Sequence, residues 1–307
     1  MSTSQRRLPN FLIIGAPKSG TTSLRRYLHH HPDVFIPSIA EPKYFVYLGA
    51  RPSYSSPDND SLIEGGRWLL DDYVDLFSDW RREKRGGEKS ATYLWSAGSA
   101  RAIRDLIPDV RLVAILRNPA DRAFSHFSHN LRSLREPLTD FRDALDAETE
   151  RKRGNWSYNY LYRERGRYAE QLERYYDLFP ANQLLVLLYD DLLADASRVM
   201  GSICRHLGIA ESYDLPVSER HNVSFGVPRN SYVHRLLTKE SLAKSLIRRI
   251  TPSRLQQEAW RLVFNRNIAP LPVFDKDLRR RLVEESADDV RRLERLIGRD
   301  LSAWLAT

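Results

Sequence analysis

The sequence predicts an α/β fold in which a parallel β-sheet is covered by helices. Three short runs are aliphatic enough to be buried strands, at residues 11–15, 111–116 and 183–189. Amphipathic segments and helix start signals follow them. Strands that alternate with helices favour a parallel sheet, because a crossover helix returns the chain to the same edge. Helices are predicted at residues 22–31, 68–82, 97–106, 141–152, 168–179, 196–207, 233–250, 253–263 and 276–297.

The turn after the first strand has the composition of a phosphate-binding loop. Residues 17–24 read Pro-Lys-Ser-Gly-Thr-Thr-Ser-Leu. Backbone N–H groups of such a turn, and the N-terminus of the helix after it, attract anions. A lysine adds a full positive charge, and hydroxyl groups donate further hydrogen bonds. The candidate phosphate-binding residues are Lys18, Ser19, Gly20, Thr21, Thr22 and Ser23.

This loop differs from a nucleotide P-loop in the position of its lysine. Gly15 and Gly20 match the G-x-x-x-x-G spacing, but Thr21 stands where a Walker loop has lysine. A loop that binds phosphate through Lys18 and hydroxyls, without a metal, fits the residues better. A P-loop kinase or NTPase remains an alternative, and so does an ordinary strand–turn–helix connection.

The second strand also ends in residues suited to phosphate. Arg117 follows the strand directly, at the end where open α/β sheets bind ligands. Asn118 fits a helix N-cap and Pro119 the first helical position. A guanidinium binds phosphate with two parallel hydrogen bonds, and the Ser125 hydroxyl lies further along the same helix. Taken alone, Arg117 could instead pair with a local carboxylate such as Asp121.

Together the two segments resemble the sulfotransferase family that uses 3′-phosphoadenosine 5′-phosphosulfate (PAPS). The family's 5′-phosphosulfate loop, P-K-x-G-T-T-x-L, matches residues 17–24, and its 3′-phosphate site, R-N-P-x-x-R-A-x-S, matches residues 117–125. Segments at 31–45, 88–93 and 166–179 are similar to those of heparan-sulfate-type members. The resemblance implies a P-loop-like central parallel sheet flanked by helices on both faces. The length suits one domain over 1–307, with residues 1–8 as a flexible N-terminus.

The resemblance also implies a reaction, the transfer of the PAPS sulfuryl group to an acceptor hydroxyl by in-line displacement. Lys18 would stabilise the leaving 5′-phosphate, and Glu41, within E-P-x-x-F, would be the base. Lys89 would contact the sulfuryl group or the acceptor. His126 and His129 remain open as alternative bases. A homologue that binds PAPS without catalysis is a further alternative.

The 3′-phosphate would be bound by Arg117 and Ser125, with Arg229 as a further contact in the segment 220–229. That segment stands where heparan-sulfate-type enzymes have a disulfide-bearing loop, which is absent here. Lys43 and Ala91 also depart from the pattern of those enzymes. These differences leave the PAPS prediction intact but argue against heparan sulfate itself as the acceptor.

The acceptor is expected to be a glycan or a small molecule with a free hydroxyl. Its contacts are expected in three loops that are rich in aromatic and basic residues, at 37–54, 127–136 and 156–162. Aromatic side chains can stack on sugar faces or on aryl rings. We favour a carbohydrate or another alcohol because the E-P-x-x-F context of Glu41 belongs with that branch of the family.

Composition argues against several other classes of function. The 307 residues carry a net charge of +8, and the basic residues form short scattered runs without a nucleic-acid-binding module. No apolar run approaches the roughly 18 residues of a membrane span, and residues 1–7 lack a signal-peptide core. A single cysteine, Cys204, favours a reduced, cytoplasmic setting. Adjacent His29, His30 and His31 point in different directions on a helix, so we predict no metal.

Overall fold

A five-stranded parallel sheet in the order β2-β3-β1-β4-β5 forms the centre of the computed structural model. The structure describes residues 7–211, 227–228, 268–270 and 272–306. The strands are β1 (Phe11–Gly15), β2 (Val34–Phe35), β3 (Arg85–Lys89), β4 (Arg111–Leu116) and β5 (Leu184–Leu188). β1 is central, paired in parallel with β3 on one side and with β4 on the other. The predicted α/β fold with a parallel sheet is confirmed.

Helices connect the strands and cover the sheet. They are α1 (Thr21–His29), α2 (Tyr44–Tyr47), α3 (Asn59–Gly65), α4 (Leu70–Asp75), α5 (Ser99–Leu106), α6 (Pro119–Arg132), α7 (Phe141–Asp146), α8 (Glu148–Arg153), α9 (Tyr168–Tyr176), α10 (Tyr189–Ala194), α11 (Ala196–Leu207) and α12 (Lys276–Ile297). Short 3₁₀ turns occur at Tyr158–Tyr160, Glu164–Gly166, Ala181–Gln183 and Ser302–Trp304. Strands β6 (Val227–Pro228) and β7 (Ile268–Ala269) form a separate antiparallel pair. Within the described ranges, no helix combines the length and apolar character needed to cross a bilayer.

Alternate residues of the central strands serve two hydrophobic cores. Leu12 and Ile14 of β1 pack on one face of the sheet with α5, α9 and α12. Phe11 and Ile13 pack on the other face with α1 and α11. Both faces of the sheet are therefore covered, as is usual for parallel strands, and the ligand-accessible region is left to the strand ends.

The structure differs from the sequence prediction where tertiary contacts override local pattern. β3 was not predicted as a strand, because its sequence Arg-Gly-Gly-Glu-Lys lacks β-branched residues. The two glycines are needed for close packing: a Cβ on Gly86 would lie 2.4 Å from Trp80, and one on Gly87 2.4 Å from Phe11. Within the predicted helix 68–82, the structure has only the short helix α4 (Leu70–Asp75). After α4 the chain is no longer helical, and the Trp80 indole N–H bonds to the carbonyl of Glu83 at 2.8 Å.

Most other predicted helices are present with shifted ends. The segment 141–152 forms two helices, α7 and α8, rather than one. α9, α11 and α12 lie where helices were predicted. The predicted helices at 233–250 and 253–263 lie outside the described residues.

Gly87→Ala should destabilise the protein, because the new Cβ would also lie 2.4 Å from the backbone oxygen of Phe11 in the central strand. Overpacking against a backbone atom cannot relax by a rotamer change, and we expect a loss of about 1–3 kcal/mol or more. The free energy of unfolding from urea titration measures it. Gly98→Ala is the matched control: a Cβ there meets nothing within 4 Å. Equal losses in the two variants would contradict the close β1–β3 packing.

Candidate active site

The carboxyl ends of three neighbouring strands meet at one edge of the sheet. β3, β1 and β4 are adjacent and parallel, so the segments that follow them come together. Ligands of open α/β sheets bind in this position. The Arg117 guanidinium donates a long hydrogen bond of 3.4 Å to the carbonyl of Lys18, which is 99 residues away in the sequence. The structure therefore brings the two predicted phosphate motifs into one site.

The turn between β1 and α1 has the backbone of a tight anion-binding loop. Lys18 (φ 66°) and Gly20 (φ 98°) are both left-handed. A Cβ on Gly20 would lie 2.9 Å from Leu192, so a larger residue would not fit. No side chain caps the start of α1, where the N–H groups of Ser23 and Leu24 donate to the carbonyl of Gly20. Ser19 is 0% exposed, and its hydroxyl has the Tyr168 hydroxyl as a neighbour but makes no well-formed hydrogen bond in the described part of the chain. Such a buried hydroxyl beside an uncapped helix start fits a bound phosphate group.

Lys18 lies in strongly positive surroundings. Burial, together with the charges of Arg132, Arg117 and Lys89, lowers the pKa of Lys18 to about 8, and Glu41 acts in the opposite direction. The charged form of the Lys18 ammonium group is therefore less stable, relative to its neutral form, than that of an ordinary lysine. A bound phosphate would favour the charged form and raise this pKa again.

The start of α6 fixes Arg117 at the end of β4. Asn118 caps the helix as predicted, accepting hydrogen bonds from the N–H groups of Ala120 and Asp121 at 3.0 and 3.2 Å. Asp121 does not pair with Arg117, because its carboxylate bonds to Arg279 of α12 at 3.0 Å. The Arg117 guanidinium instead lies 5.0 Å from the centre of the Tyr189 ring. Ser125 lies half-buried on the same helix.

Glu41 forms an ion cluster with two lysines on the loop before α2. The Lys89 ammonium lies 2.6 Å from one carboxylate oxygen, and the Lys43 ammonium 4.0 Å from the other. The N–H of Lys43 donates to the Ser90 hydroxyl at 3.0 Å, which binds this loop to the turn after β3. Burial alone would raise the pKa of Glu41, but the charges of Lys89 and Lys43 outweigh it and lower the pKa to about 2. Glu41 is therefore ionised at neutral pH.

Glu88, the neighbour of Lys89 on β3, lies on the opposite face of the strand. It is fully buried, and the Tyr73 hydroxyl bonds to its carboxyl at 3.3 Å. Burial raises the pKa of Glu88 to about 7, although hydrogen bonds from nearby hydroxyls oppose this. The alternation of a strand thus separates a buried acid from the cation at the site.

The two histidines of α6 differ in their access to the site. His126 is buried, packs edge-on against Tyr162, and lies 3.4 Å from the Arg122 guanidinium. Burial and neighbouring arginines hold the pKa of His126 well below its usual value. His129 is half-buried, and burial and the charge of Lys18 lower its pKa to about 3. Both rings are neutral at pH 7, but each is a weaker base than an ordinary imidazole.

Two cations beside the site were not predicted from the sequence. Arg132 ends α6, and its charge acts on Lys18. Arg165 lies in the 3₁₀ turn Glu164–Gly166 and is 1% exposed. The only sequence signal for Arg165 was its position directly before the 166–179 segment. Some of the residues that Arg165 contacts are distant in sequence. Its position in the sequence therefore could not show that it lies beside the site.

Two further predictions concern Arg229 and a metal ion. Arg229 lies outside the described residues, and its role stays a prediction. In the described part of the chain, no three His, Cys, Asp or Glu side chains are grouped so that they could hold a metal ion.

Comparisons with known proteins show which family the chain belongs to. A model of the Sulfotransferase family matches residues 53–213. A crystal structure of a sulfotransferase from Alicyclobacillus acidocaldarius is 32% identical, with a TM-score of 0.77, over 98% of this chain and 100% of that one. The bifunctional heparan sulfate N-deacetylase/N-sulfotransferase 2 of Homo sapiens is 31% identical over 66% of this chain. The corresponding enzyme 4 of Mus musculus is 29% identical over 67%.

The chain belongs to the sulfotransferase family. This confirms the family predicted from the two motifs over the kinase or NTPase alternative. The matches to the two heparan sulfate enzymes cover only 22% and 23% of those proteins, so the chain spans less than a quarter of their length.

The low pKa of Lys18 predicts that binding of 3′-phosphoadenosine 5′-phosphate (PAP) weakens in alkaline solution. Binding takes up a proton when Lys18 is neutral, so affinity is lost as pH rises through about 8. We expect roughly tenfold weaker binding at pH 9 than at pH 7, measured by calorimetry. Lys18→Met should bind weakly with no such slope. Lys84→Met, at the other end of β3 and paired with Asp33, should keep the wild-type slope. A flat wild-type profile would contradict contact between Lys18 and phosphate.

Proposed function

We propose that this chain transfers the sulfuryl group of PAPS to a hydroxyl of a carbohydrate or another small alcohol. The observation that carries the proposal is the arrangement at the sheet edge. The Lys18 loop contacts Arg117, and the Glu41–Lys89 ion pair lies on the adjoining strand end. Such a site offers cations for two phosphate groups and a carboxylate for an acceptor proton.

The donor would be held at its two anionic ends. The 5′-phosphosulfate would bind the loop 18–23, where the Ser19 hydroxyl makes no well-formed hydrogen bond in the described chain and no side chain caps the start of α1. The 3′-phosphate would bind Arg117 and Ser125. Arg117 is suited to this because Asp121 is already paired with Arg279. When bound, PAPS supplies an activated sulfuryl group on a phosphate leaving group.

Three side chains would share the chemistry. Lys18 would stabilise negative charge that develops on the leaving phosphate. Glu41 would take the proton of the acceptor hydroxyl as the new S–O bond forms and the bond to the 5′-phosphate breaks. Lys89, now bonded to Glu41 at 2.6 Å, would move towards the sulfuryl oxygens. That movement would weaken the ion pair and raise the pKa of Glu41 when its basicity is needed.

The acceptor would lie against the aromatic side chains near Glu41. The Tyr158 ring lies 6.0 Å from Tyr54 and 5.6 Å from Trp95, and its hydroxyl is 3.2 Å from that of Tyr47. Trp95 and Tyr54 are half-buried and can offer ring faces to a sugar. The names of the mammalian relatives, which specify heparan sulfate, support a glycan. A cytoplasmic location and a single domain over 1–307 are proposed from the sequence.

Glu41→Gln should lower the rate of sulfuryl transfer by about 10²–10⁴-fold, the usual contribution of a general base. Transfer of label from ³⁵S-PAPS to a panel of glycans and alcohols measures it, with PAP affinity followed in parallel. Glu64→Gln, on the exposed side of α3, is the matched control and should keep full activity. If Glu41→Gln stays active and His129→Asn does not, the base is His129. Binding of PAP without transfer by the wild type to any acceptor would support the non-catalytic alternative.

Arg117→Ala should weaken PAP binding by about 1.5–3 kcal/mol, roughly 10- to 150-fold, the scale of a charged hydrogen bond. Binding of adenosine 5′-phosphate, which lacks the 3′-phosphate, should be unchanged. Calorimetry without metal measures both ligands. Arg111→Ala, at the other end of β4, serves as the control. An equal loss for the two ligands would remove Arg117 from the 3′-phosphate site.

A further inference from the structure

Arg165 is a buried cation without an acidic partner. Its side chain is 1% exposed, and among the described residues no carboxylate lies within ion-pair distance of it. Its Nε has no hydrogen-bond partner in the described part of the chain. The same fold pairs another buried guanidinium, Arg151, with both oxygens of Glu136. Burying an unpaired charge is costly, so the charge of Arg165 calls for a functional explanation.

Neutral groups hold Arg165 in place. Its two terminal nitrogens donate to the Asn159 side-chain oxygen at 3.2 Å and to the Thr92 hydroxyl at 3.1 Å. The amide of Asn159 donates in turn to Asp58 at 2.7 Å. The Asn159 amide therefore stands between the Asp58 carboxylate and the Arg165 guanidinium. The guanidinium is held in its orientation, but no carboxylate among the described residues bonds to it directly and neutralises its charge. The rings of Tyr158 and Trp95 complete the setting, with centres 5.1 and 6.0 Å from the guanidinium carbon.

The hydrogen bond to Thr92 connects Arg165 to the catalytic pair. Thr92 belongs to the turn that follows Lys89, closed by a bond from the N–H of Tyr93 to the carbonyl of Ser90 at 3.1 Å. The Ser90 hydroxyl accepts the N–H of Lys43 from the Glu41 loop at 3.0 Å. One short turn thus carries Lys89, binds the Glu41 loop and is held by Arg165.

The charge of Arg165 is also coupled electrostatically to Glu41, the carboxylate that is paired with Lys89. The charge of Arg165 helps to lower the pKa of Glu41, after those of Lys89 and Lys43. Burial lowers the pKa of Arg165 itself to about 10, so it stays charged at neutral pH. The titratable groups coupled to Glu41 from the surrounding elements are Lys89, Lys43, Arg165, Lys18, His129, Glu88 and Tyr158.

We propose that Arg165 is a positioning residue for Glu41: it holds the turn that carries Lys89 and Ser90, and it supplies a fixed positive charge that acts on the carboxylate. The inference rests on the proposed role of Glu41 as the base. Lys89 must leave Glu41 to reach the sulfuryl group, whereas Arg165 is held by two hydrogen bonds and two ring contacts. Arg165 therefore keeps Glu41 ionised and oriented after its closest cation has moved.

A titration of the Glu41 carboxyl tests this without any acceptor. The protein is labelled with ¹³C at glutamate Cδ, and Glu41→Gln assigns the signal. Lys89→Met serves as the reference, because it imitates the state in which Lys89 has moved away. Arg165→Met, Arg165→Gln and Arg165→Lys are then added to that reference. Gln keeps hydrogen-bonding groups without the charge, so it serves where Met disturbs folding.

The neutral variants Arg165→Met and Arg165→Gln should raise the titration midpoint of Glu41 by about one pH unit or more. Arg165→Lys should restore the midpoint of the reference, because it keeps the charge. In the same reference, Thr92→Val should raise the midpoint by a smaller amount and Thr92→Ser should not, since only Ser keeps the hydroxyl.

The inference would be overturned if the titration midpoint of Glu41 stayed unchanged in both neutral variants. It would also be overturned if Arg165→Lys raised that midpoint as much as the neutral variants do. A failure of the proposed function would be seen separately, as absent PAP binding or as full turnover of Glu41→Gln.

Discussion

The concentration of positive charge at the carboxyl edge of the sheet is the constraint on which the site depends. The charges of Lys89, Arg117 and Arg132 all act on Lys18 there, and Glu41 is the carboxylate that opposes them at Lys18. Two like charges about 5 Å apart repel by ~3 kcal/mol at an effective dielectric constant near 20. The fold must hold these groups together against that repulsion. Anions bound at the site would remove it, so ligand binding and stability should be linked.

The fold meets this constraint with backbone geometry and with selective pairing. β1 is fixed between β3 and β4, so the three strand ends cannot move apart without breaking the central sheet. Asp121, the nearest acid in sequence to Arg117, is occupied by Arg279 of α12. Of the cations Lys18, Lys89, Arg117 and Arg132, Lys89 is the one with a close acidic partner among the described residues, at 2.6 Å. Burial and the remaining repulsion together lower the pKa of Lys18, and no further ion pair among the described residues relieves that repulsion.

The sequence predicted those features whose causes are local. The phosphate loop and the cap of α6 depend on residues within a few positions of one another, so their chemistry is visible in the chain. β3 was missed because its glycines are chosen for contact with Phe11 and Trp80, not for strand propensity. Glu41 was recognised only through resemblance, since its partner Lys89 is 48 residues away. Arg165 could not be placed at all, because its bond to Thr92 spans 73 residues.

The low pKa of Glu41 bears directly on how a carboxylate can act as a base here. A group with a pKa near 2 takes up a proton poorly, so the ligand-free arrangement is not the reactive one. The main cause of that low pKa is Lys89, which in the proposed mechanism is also the cation that follows the transferred group. If Lys89 moves, the basicity of Glu41 rises and the sulfuryl oxygens gain a counter-charge in the same event. In the proposed mechanism, the Glu41–Lys89 ion pair thereby couples the basicity of Glu41 to occupation of the donor site and keeps Glu41 a poor base while that site is empty.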